Sequence, residues 1–433
     1  EHLVADGELH CWAYYSGAMP REFVQTAAPA LPELDRWRQV GEEEARAAYE
    51  MTLRNELSGG TPVVRAFEAA WREFTGLRHA VTVSNGTAAL YSAMYALGVG
   101  PGAEVITPAW NWICSIAPAP MLGAAPVFCD VDSETGLLDP ADLSRRITPR
   151  TKAIIAVHLW GWPCDLDAIM AVSREAGVAV IEDCSHAHGA TYRGKPVGTF
   201  GRVACWSLQG SKPVSAGEGG VLATDDTGVF ERACLAGQVN RLAGIDLETP
   251  DYERFQPYGT GMKFRAHPLG IGIAAVQLRK LGALNAGRTA WVEAVEAGIR
   301  DIPFLAPLRV PDGGRRGGFY GFPVRLLPER VGGITAGEFI AALRAEGVQA
   351  SANAYPLLHR LPVFAEGGEL YPAGRAPLRA GWRTPEPLPR AEALIPHVVF
   401  LPVLTDPVPE ALSWMLARIH RAAAKVALPP SGR

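Results

Sequence analysis

The sequence predicts an α/β fold: a mostly parallel, seven-stranded sheet with helices on both faces, followed by a smaller C-terminal α+β domain. Three observations predict it. Seven short apolar, β-branched runs recur at His79–Val83, Glu104–Thr107, Pro126–Asp130, Lys152–Val157, Val178–Glu182, Val203–Ser207 and Gly220–Thr224. Helical stretches separate most of them, at Ala88–Leu97, Pro140–Arg146 and Asp165–Ala176. Continuous apolar strands alternating with helices make a sheet buried on both sides. After Pro303 the composition shifts to Gly and Pro, and the only helical patterns left are Ala336–Glu346 and Ala411–Ala424.

Taken in order, residues 1–60 read as an arm. It carries Trp12, Tyr14 and Tyr15, then an acidic helical stretch from Glu42 to Leu57. Ser58-Gly59-Gly60-Thr61-Pro62 ends that stretch. A second helix, Val63 to Phe74, puts Phe67, Ala70 and Trp71 on one face. Strands and helices then alternate to residue 224, residues 225–265 read as irregular, and a long helical pattern runs from Pro268 to about Ile299. The division expected is an arm at 1–60, a large domain at 61–280 and a small domain at 281–433.

Composition removes several functional classes. The 433 residues carry 41 basic and 45 acidic side chains, a net charge of −4. A strongly basic nucleic-acid binder and a polyacidic tail are both excluded. No apolar run approaches the roughly 18–20 residues of a membrane span, and no signal peptide opens the chain, so no membrane partner is expected. The first residue is Glu1 rather than Met, so a trimmed or processed chain is expected. The seven cysteines include no CxxC spacing, and several lie in apolar runs. Reduced core thiols in a cytoplasmic protein are expected, with no disulfide framework and no metal site.

Three motifs carry chemistry, and each follows a predicted strand, where ligands of parallel sheets bind. Ser84-Asn85-Gly86-Thr87-Ala88 opens a helix, whose first N–H groups and dipole favour an anion, or it is an ordinary capped turn. Glu182-Asp183-Cys184-Ser185-His186 ends the most apolar strand, so Asp183 is either a functional carboxylate or a helix cap. Lys212 is one of only six lysines and lies in Trp206-Ser207-Leu208-Gln209-Gly210-Ser211-Lys212, with no other charge before Glu218. It is either a surface lysine or a desolvated amine able to attack a carbonyl. A phosphate cradle, an Asp and a Lys, each after a parallel strand, are what pyridoxal phosphate needs.

With these strings in place, the chain resembles the DegT/DnrJ/EryC1/StrS family of pyridoxal phosphate-dependent sugar and cyclitol aminotransferases. Beyond the three motifs, the carrying strings include Val105-Ile106-Thr107-Pro108, Pro126-Val127-Phe128-Cys129-Asp130-Val131-Asp132, Gly217-Glu218-Gly219-Gly220 and Gly261-Met262-Lys263-Phe264-Arg265. Order and spacing agree over roughly residues 60–360. The resemblance implies an aspartate-aminotransferase-like fold (fold type I) and pyridoxal 5'-phosphate as cofactor. It implies that Gly86, Thr87 and Ser207 hold the phosphate, Asp183 pairs with the ring nitrogen, and Lys212 carries the cofactor as a Schiff base. Trp112 would stack on the ring, with Trp110 packing instead, and His186 would contact the ring oxygen. Lys263, where the family often has Asn, would reach the cofactor phosphate of a neighbouring subunit or a phosphorylated substrate. Tyr355 and His359 are candidates for the substrate side. The implied partners are a keto-sugar or keto-cyclitol, glutamate or glutamine as amino donor, and a second copy in a homodimer with shared sites. A dehydrase or deoxygenase of the same family is the main alternative; those have a histidine where this chain has Lys212. A non-catalytic regulator would need a DNA-binding module or a lost lysine, and neither is seen.

Overall fold

The structure is a computed structural model that describes residues 34–36, 39–366, 370 and 386–427. The aromatics Trp12, Tyr14 and Tyr15 of the expected arm lie outside the described residues. Two helices lead into the sheet: α1 (Glu42–Leu53) and α2 (Pro62–Thr75). Pro62 at the first position and Gly76 in the left-handed conformation bracket α2, as helix ends favour. Buried Phe67 and Trp71 form its inner face, and Trp71 meets Trp206 edge-on at 5.4 Å.

The main sheet holds β1 (His79–Val83), β2 (Glu104–Pro108), β3 (Ala125–Cys129), β4 (Thr151–Val157), β5 (Ala179–Asp183), β8 (Val203–Ser207) and β9 (Gly220–Thr224). Its order is β1-β9-β8-β5-β4-β2-β3. β9 is antiparallel to both neighbours, and the other pairings are parallel, so six strands share one direction. The seven expected strands are all present, within about a residue at each end. Helices α3 (Gly86–Ala96), α4 (Pro140–Arg146) and α5 (Leu166–Ala176) fill the crossovers.

Residues 225–265 are more ordered than expected. Helix α6 (Thr227–Gly237) starts there, with the Asp226 carboxylate accepting from Val229 N–H. The string Asp225-Asp226-Thr227-Gly228 reads as a turn, yet Asp226 is the cap of a helix.

Helix α7 (Pro268–Gly298) links the large sheet to the C-terminal region, so the expected 280/281 division falls inside a continuous helix. Helix α1 packs on α7 of its own chain. The contact is close: a Cβ on Gly272 would stand 2.4 Å from Met51 Sδ. Lys280 reaches the Glu44 carboxylate at 3.1 Å.

Beyond α7 lies a four-stranded antiparallel sheet of β10 (Leu305–Pro307), β12 (Pro323–Leu326), β14 (Val398–Phe400) and β13 (Ser351–Ala352). Helices α8 (Ala336–Ala345) and α9 (Ala411–Ala427) accompany it and pack on each other. A three-stranded patch, β11 (Gly314–Arg315) with β6 (Thr191–Tyr192) and β7 (Lys195–Pro196), ties this region back to the large sheet.

Candidate active site

One cavity of about 440 Å³ opens at the carboxyl ends of the parallel strands. Gly86, Thr87, Trp112, Asp183, His186, Ser207, Lys212 and Tyr355 all line it. Two other sequence candidates do not. Lys263 is exposed and pairs in a short bridge with Gln238. His359 is buried against Glu392, its Nε2 2.8 Å from the carboxylate.

The anion end forms where α3 meets the end of β8. The Asn85 side chain accepts from Ala88 N–H, which leaves the N–H groups ahead of it without intrahelical partners. A Cβ on Gly86 would stand 2.9 Å from Ser207 Cβ, and one on Gly220 2.5 Å from the Asn85 carbonyl. Only glycine lets these chains come so close.

Asp183 closes β5. Its Oδ2 accepts from Ser115 Oγ at 2.7 Å and its Oδ1 from Ser185 N–H at 3.1 Å. Lys212 lies in the loop between β8 and β9 and is 7% exposed. Its backbone is pinned, N–H to the Gln209 carbonyl and carbonyl to the Gln39 side chain. Burial pushes its ammonium down to about 7, against the opposing pull of Asp183 and Cys114. Such an amine is a competent nucleophile and base near neutrality.

Trp112 borders the cavity 5.2 Å from the Tyr355 ring. Trp110 is buried and donates Nε1–H to Asn353 Oδ1 at 3.1 Å. That bond, with the Leu358 N–H to Ala109 carbonyl bond, docks residues 353–358 on the end of β2 and brings Tyr355 to the cavity. His186 accepts at Nδ1 from Trp160 N–H at 3.2 Å. Trp160 is left-handed (φ 60°, ψ 0°), a conformation uncommon away from glycine. Burial, then Lys212, hold His186 well below the usual imidazole range, so it is neutral and its hydrogen sits on Nε2, 3.3 Å from Tyr355 Oη.

Sequence reasoning missed Cys114 and Ser115 as lining residues, and gave no role to Gln209 and Glu218 within its motifs or to Asn353 and Ala354 beside Tyr355. Ser115 carried a faint signal, a hydroxyl three residues past Trp112 in a strand-end loop. Behind the cavity, His158, Glu182 and Cys184 bring ligand-type atoms within 4.8 Å of one another. His158 and Glu182 are already engaged by hydrogen bonds from backbone N–H groups and with each other.

The donor set suits pyridoxal 5'-phosphate. The glycine-lined helix start admits a phosphate, a fixed carboxylate stands beside the cavity, and a buried amine faces into it. A model of the DegT/DnrJ/EryC1/StrS aminotransferase family matches residues 38–410. An aminotransferase from Psychrobacter cryohalolentis is similar at 26% identity, with TM-score 0.81, over 91% of this chain and 100% of that one. A 3-amino-5-hydroxybenzoic acid synthase is similar at 29% identity, with TM-score 0.73, over 92% and 98%. The GDP-4-keto-6-deoxy-D-mannose-3-dehydratase of E. coli, with bound hydrated cofactor, shares the fold at 21% identity, with TM-score 0.74, over 88% and 98%. The chain belongs to the DegT/DnrJ/EryC1/StrS aminotransferase family and is a pyridoxal phosphate-dependent aminotransferase.

Proposed function

We propose that this member of the family converts a keto-sugar or keto-cyclitol to the amino compound, with glutamate or glutamine as amino donor, in amino-sugar or secondary-metabolite biosynthesis. The observation that carries the reading is the buried Lys212 amine in one cavity with Asp183 and the Gly86–Thr87–Ser207 cradle. The similarity to a 3-amino-5-hydroxybenzoic acid synthase at 29% identity supports a small ring compound as the amino product.

Gly86, Thr87 and Ser207 would hold the cofactor phosphate, and Trp112 would cover one face of its ring. Asp183, fixed by Ser115 and Ser185, would keep a proton on the ring nitrogen. The neutral His186 would offer its Nε2–H. When bound, the cofactor supplies the electron sink that lets an amino group pass between two carbon skeletons. Lys212 Nζ would hold the cofactor covalently at rest, then take a proton from the donor carbon and return one to the acceptor carbon. Its low proton affinity lets it do both near neutral pH. Tyr355 would border the substrate.

The dehydrase reading is disfavoured because Lys212 stands where those enzymes carry histidine. A homodimer with shared sites is part of the proposal: exposed Lys263 would reach the second copy's cofactor phosphate. Mixing Lys212→Ala with a Lys263/Arg265 double-alanine variant should restore activity once subunits exchange; a mixture that stays inactive after proven exchange counts against shared sites. The six described cysteines are unpaired by disulfides, which fits the cytoplasm. Among the described residues no helix is long and apolar enough to cross a membrane. The central experiment incubates the enzyme with candidate keto-substrates and reads amino transfer from glutamate or glutamine by mass spectrometry. Borohydride reduction of the holoenzyme should fix the pyridoxyl group to Lys212, and a label on any other lysine rejects the site.

A further inference from the structure

Tyr320 belongs to no motif of the sequence, yet the structure sets it against two of the cavity's working groups. It lies on a strap, residues 317–321, between β11 and β12. The strap's glycines press on the loop after β5. A Cβ on Gly317 would stand 2.2 Å from Ala190 N, and one on Gly318 2.5 Å from the His186 carbonyl. Helix α7 grips the strap from the other side. Gly318 N–H donates to Asn285 Oδ1 at 3.2 Å, and Arg288 Nη1 donates to the Gly318 carbonyl at 3.4 Å. Gly318 (φ +76°) and Phe319 (φ +48°) then turn the chain in left-handed conformations and deliver Tyr320 against Lys212 and His186.

There the Lys212 Nζ lies over the Tyr320 ring, 3.6 Å from its centroid. The His186 ring stacks on Tyr320 at 4.0 Å with an 18° tilt. The Tyr320 hydroxyl stands 3.1 Å from Ser211 Oγ, one residue before Lys212. One ring thus meets a lysine from the loop after β8 and a histidine from the loop after β5. An aromatic face carries negative potential and attracts an ammonium.

We propose that Tyr320 is a positioning residue: its ring holds the free Lys212 amine and braces His186, so that both keep their places while the amine is not bonded to the cofactor. The inference rests on the reading of Lys212 as the cofactor-bearing amine. Burial alone would drive the ammonium toward the neutral form and leave the long side chain free to turn. The ring restores part of the cation's stability at one point in space. The other groups facing Lys212 are Asp183 and Cys114, which favour its charge, and His186 and His188, which burial keeps neutral, with Glu218 on the cavity wall.

The test is a titration of apoenzyme whose amines carry ¹³C-methyl groups from reductive methylation. The Lys212 signal is the one missing from Lys212→Arg. In Tyr320→Leu, and in the longer, unbranched Tyr320→Met, that signal should titrate lower than in wild type by roughly 0.4–1.5 pH units. Tyr320→Phe keeps the face and should titrate with wild type. A Leu or Met variant that folds as wild type and titrates with it overturns the proposal. So does a Phe variant that falls as far as Leu, since the hydroxyl would then be the cause. In turnover the non-aromatic variants should lose kcat with KM for the keto-substrate nearly unchanged, and Phe should rescue. If the borohydride label falls on another lysine, the functional reading fails, while the Tyr320 titration still reads the contact itself.

Discussion

Two carboxylates end strand β5 side by side and face opposite ways. Glu182 points into the core behind the sheet, Asp183 into the cavity. Alternation along a strand makes this unavoidable. The Glu182 carboxylate receives four hydrogen bonds, from His158 Nε2 and from the N–H groups of Gly198, Phe200 and Gly201. Burial works against its charge, but the His158 contact and these bonds outweigh burial and hold it below the usual carboxylate range. On the cavity face the balance is left open. Asp183 has two donors, and Lys212 is buried with its proton affinity lowered. The core face spends its charge on holding loops together; the cavity face keeps charge and amine unsatisfied enough to act.

The largest expected effect breaks the core face. Glu182→Gln keeps the shape but removes the charge that four donors converge on. An amide puts an N–H₂ where one oxygen accepted from two of those donors, and each buried donor left unsatisfied costs about 1–3 kcal/mol. Denaturant midpoints should fall accordingly, while turnover per folded molecule stays near wild type. A variant as stable as wild type, or one that folds but is dead, would erase the distinction between the two faces.

Lys212 sharpens the comparison through pH. An ordinary lysine titrates near 10.4, so only about one in 10³ is neutral at pH 7. With its affinity pushed down to about 7, half the Lys212 amines are neutral there. Only the neutral amine attacks a carbonyl. The rate at which apoenzyme captures pyridoxal phosphate covalently should therefore rise as pH passes through about 7 and then level off. A rate still climbing at pH 9 would mean the cavity does not desolvate this amine.

Asp183→Asn probes the cavity carboxylate. Removing one preorganised electrostatic partner typically costs roughly 10²–10³ in rate. The variant should lose turnover by that order and melt with wild type as apoenzyme. That is the mirror image of Glu182→Gln. Near-normal turnover would remove Asp183 from the chemistry.

These two carboxylates also mark how far the sequence was legible. The run Val178–Glu182 is apolar enough to read as a buried strand, and a carboxylate at its end is visible as a functional candidate. The same holds for Gly86, Ser207 and Lys212, each placed by a strand that the pattern reveals. Tyr320 and Trp160 were not legible, because neither is placed by its own neighbours in sequence. Tyr320 is put in position by Gly317 and Gly318 touching a loop about 130 residues earlier in the chain. Trp160 has a left-handed backbone that nothing in His158-Leu159-Trp160-Gly161 demands. The small sheet was hidden for another reason: strands of two to four residues, such as β13 and β14, are too short to show a period.

The smallest effect concerns the side-chain donor of the two that hold Asp183. Ser115 Oγ donates to Oδ2 at 2.7 Å, a short bond to a group that acts as an anion. Hydrogen bonds to charged groups contribute about 1.5–3 kcal/mol, but the cavity is open enough for water to replace a lost hydroxyl in part. Ser115→Ala should therefore slow turnover roughly ten-fold, equivalent to about 1.4 kcal/mol. Ser115→Thr keeps the hydroxyl and should recover most of it. In its proposed place beside the cofactor's ring nitrogen, Asp183 would then meet that nitrogen with one fixed donor fewer. The absorbance of the bound cofactor should then depend on pH differently in Ser115→Ala than in wild type, with stability little changed. If Ser115→Ala instead loses as much activity as Asp183→Asn, the serine is more than a support for the carboxylate. If spectrum and rate both stay at wild type, Ser185 N–H alone fixes Asp183, and the cavity face is simpler than its geometry suggests.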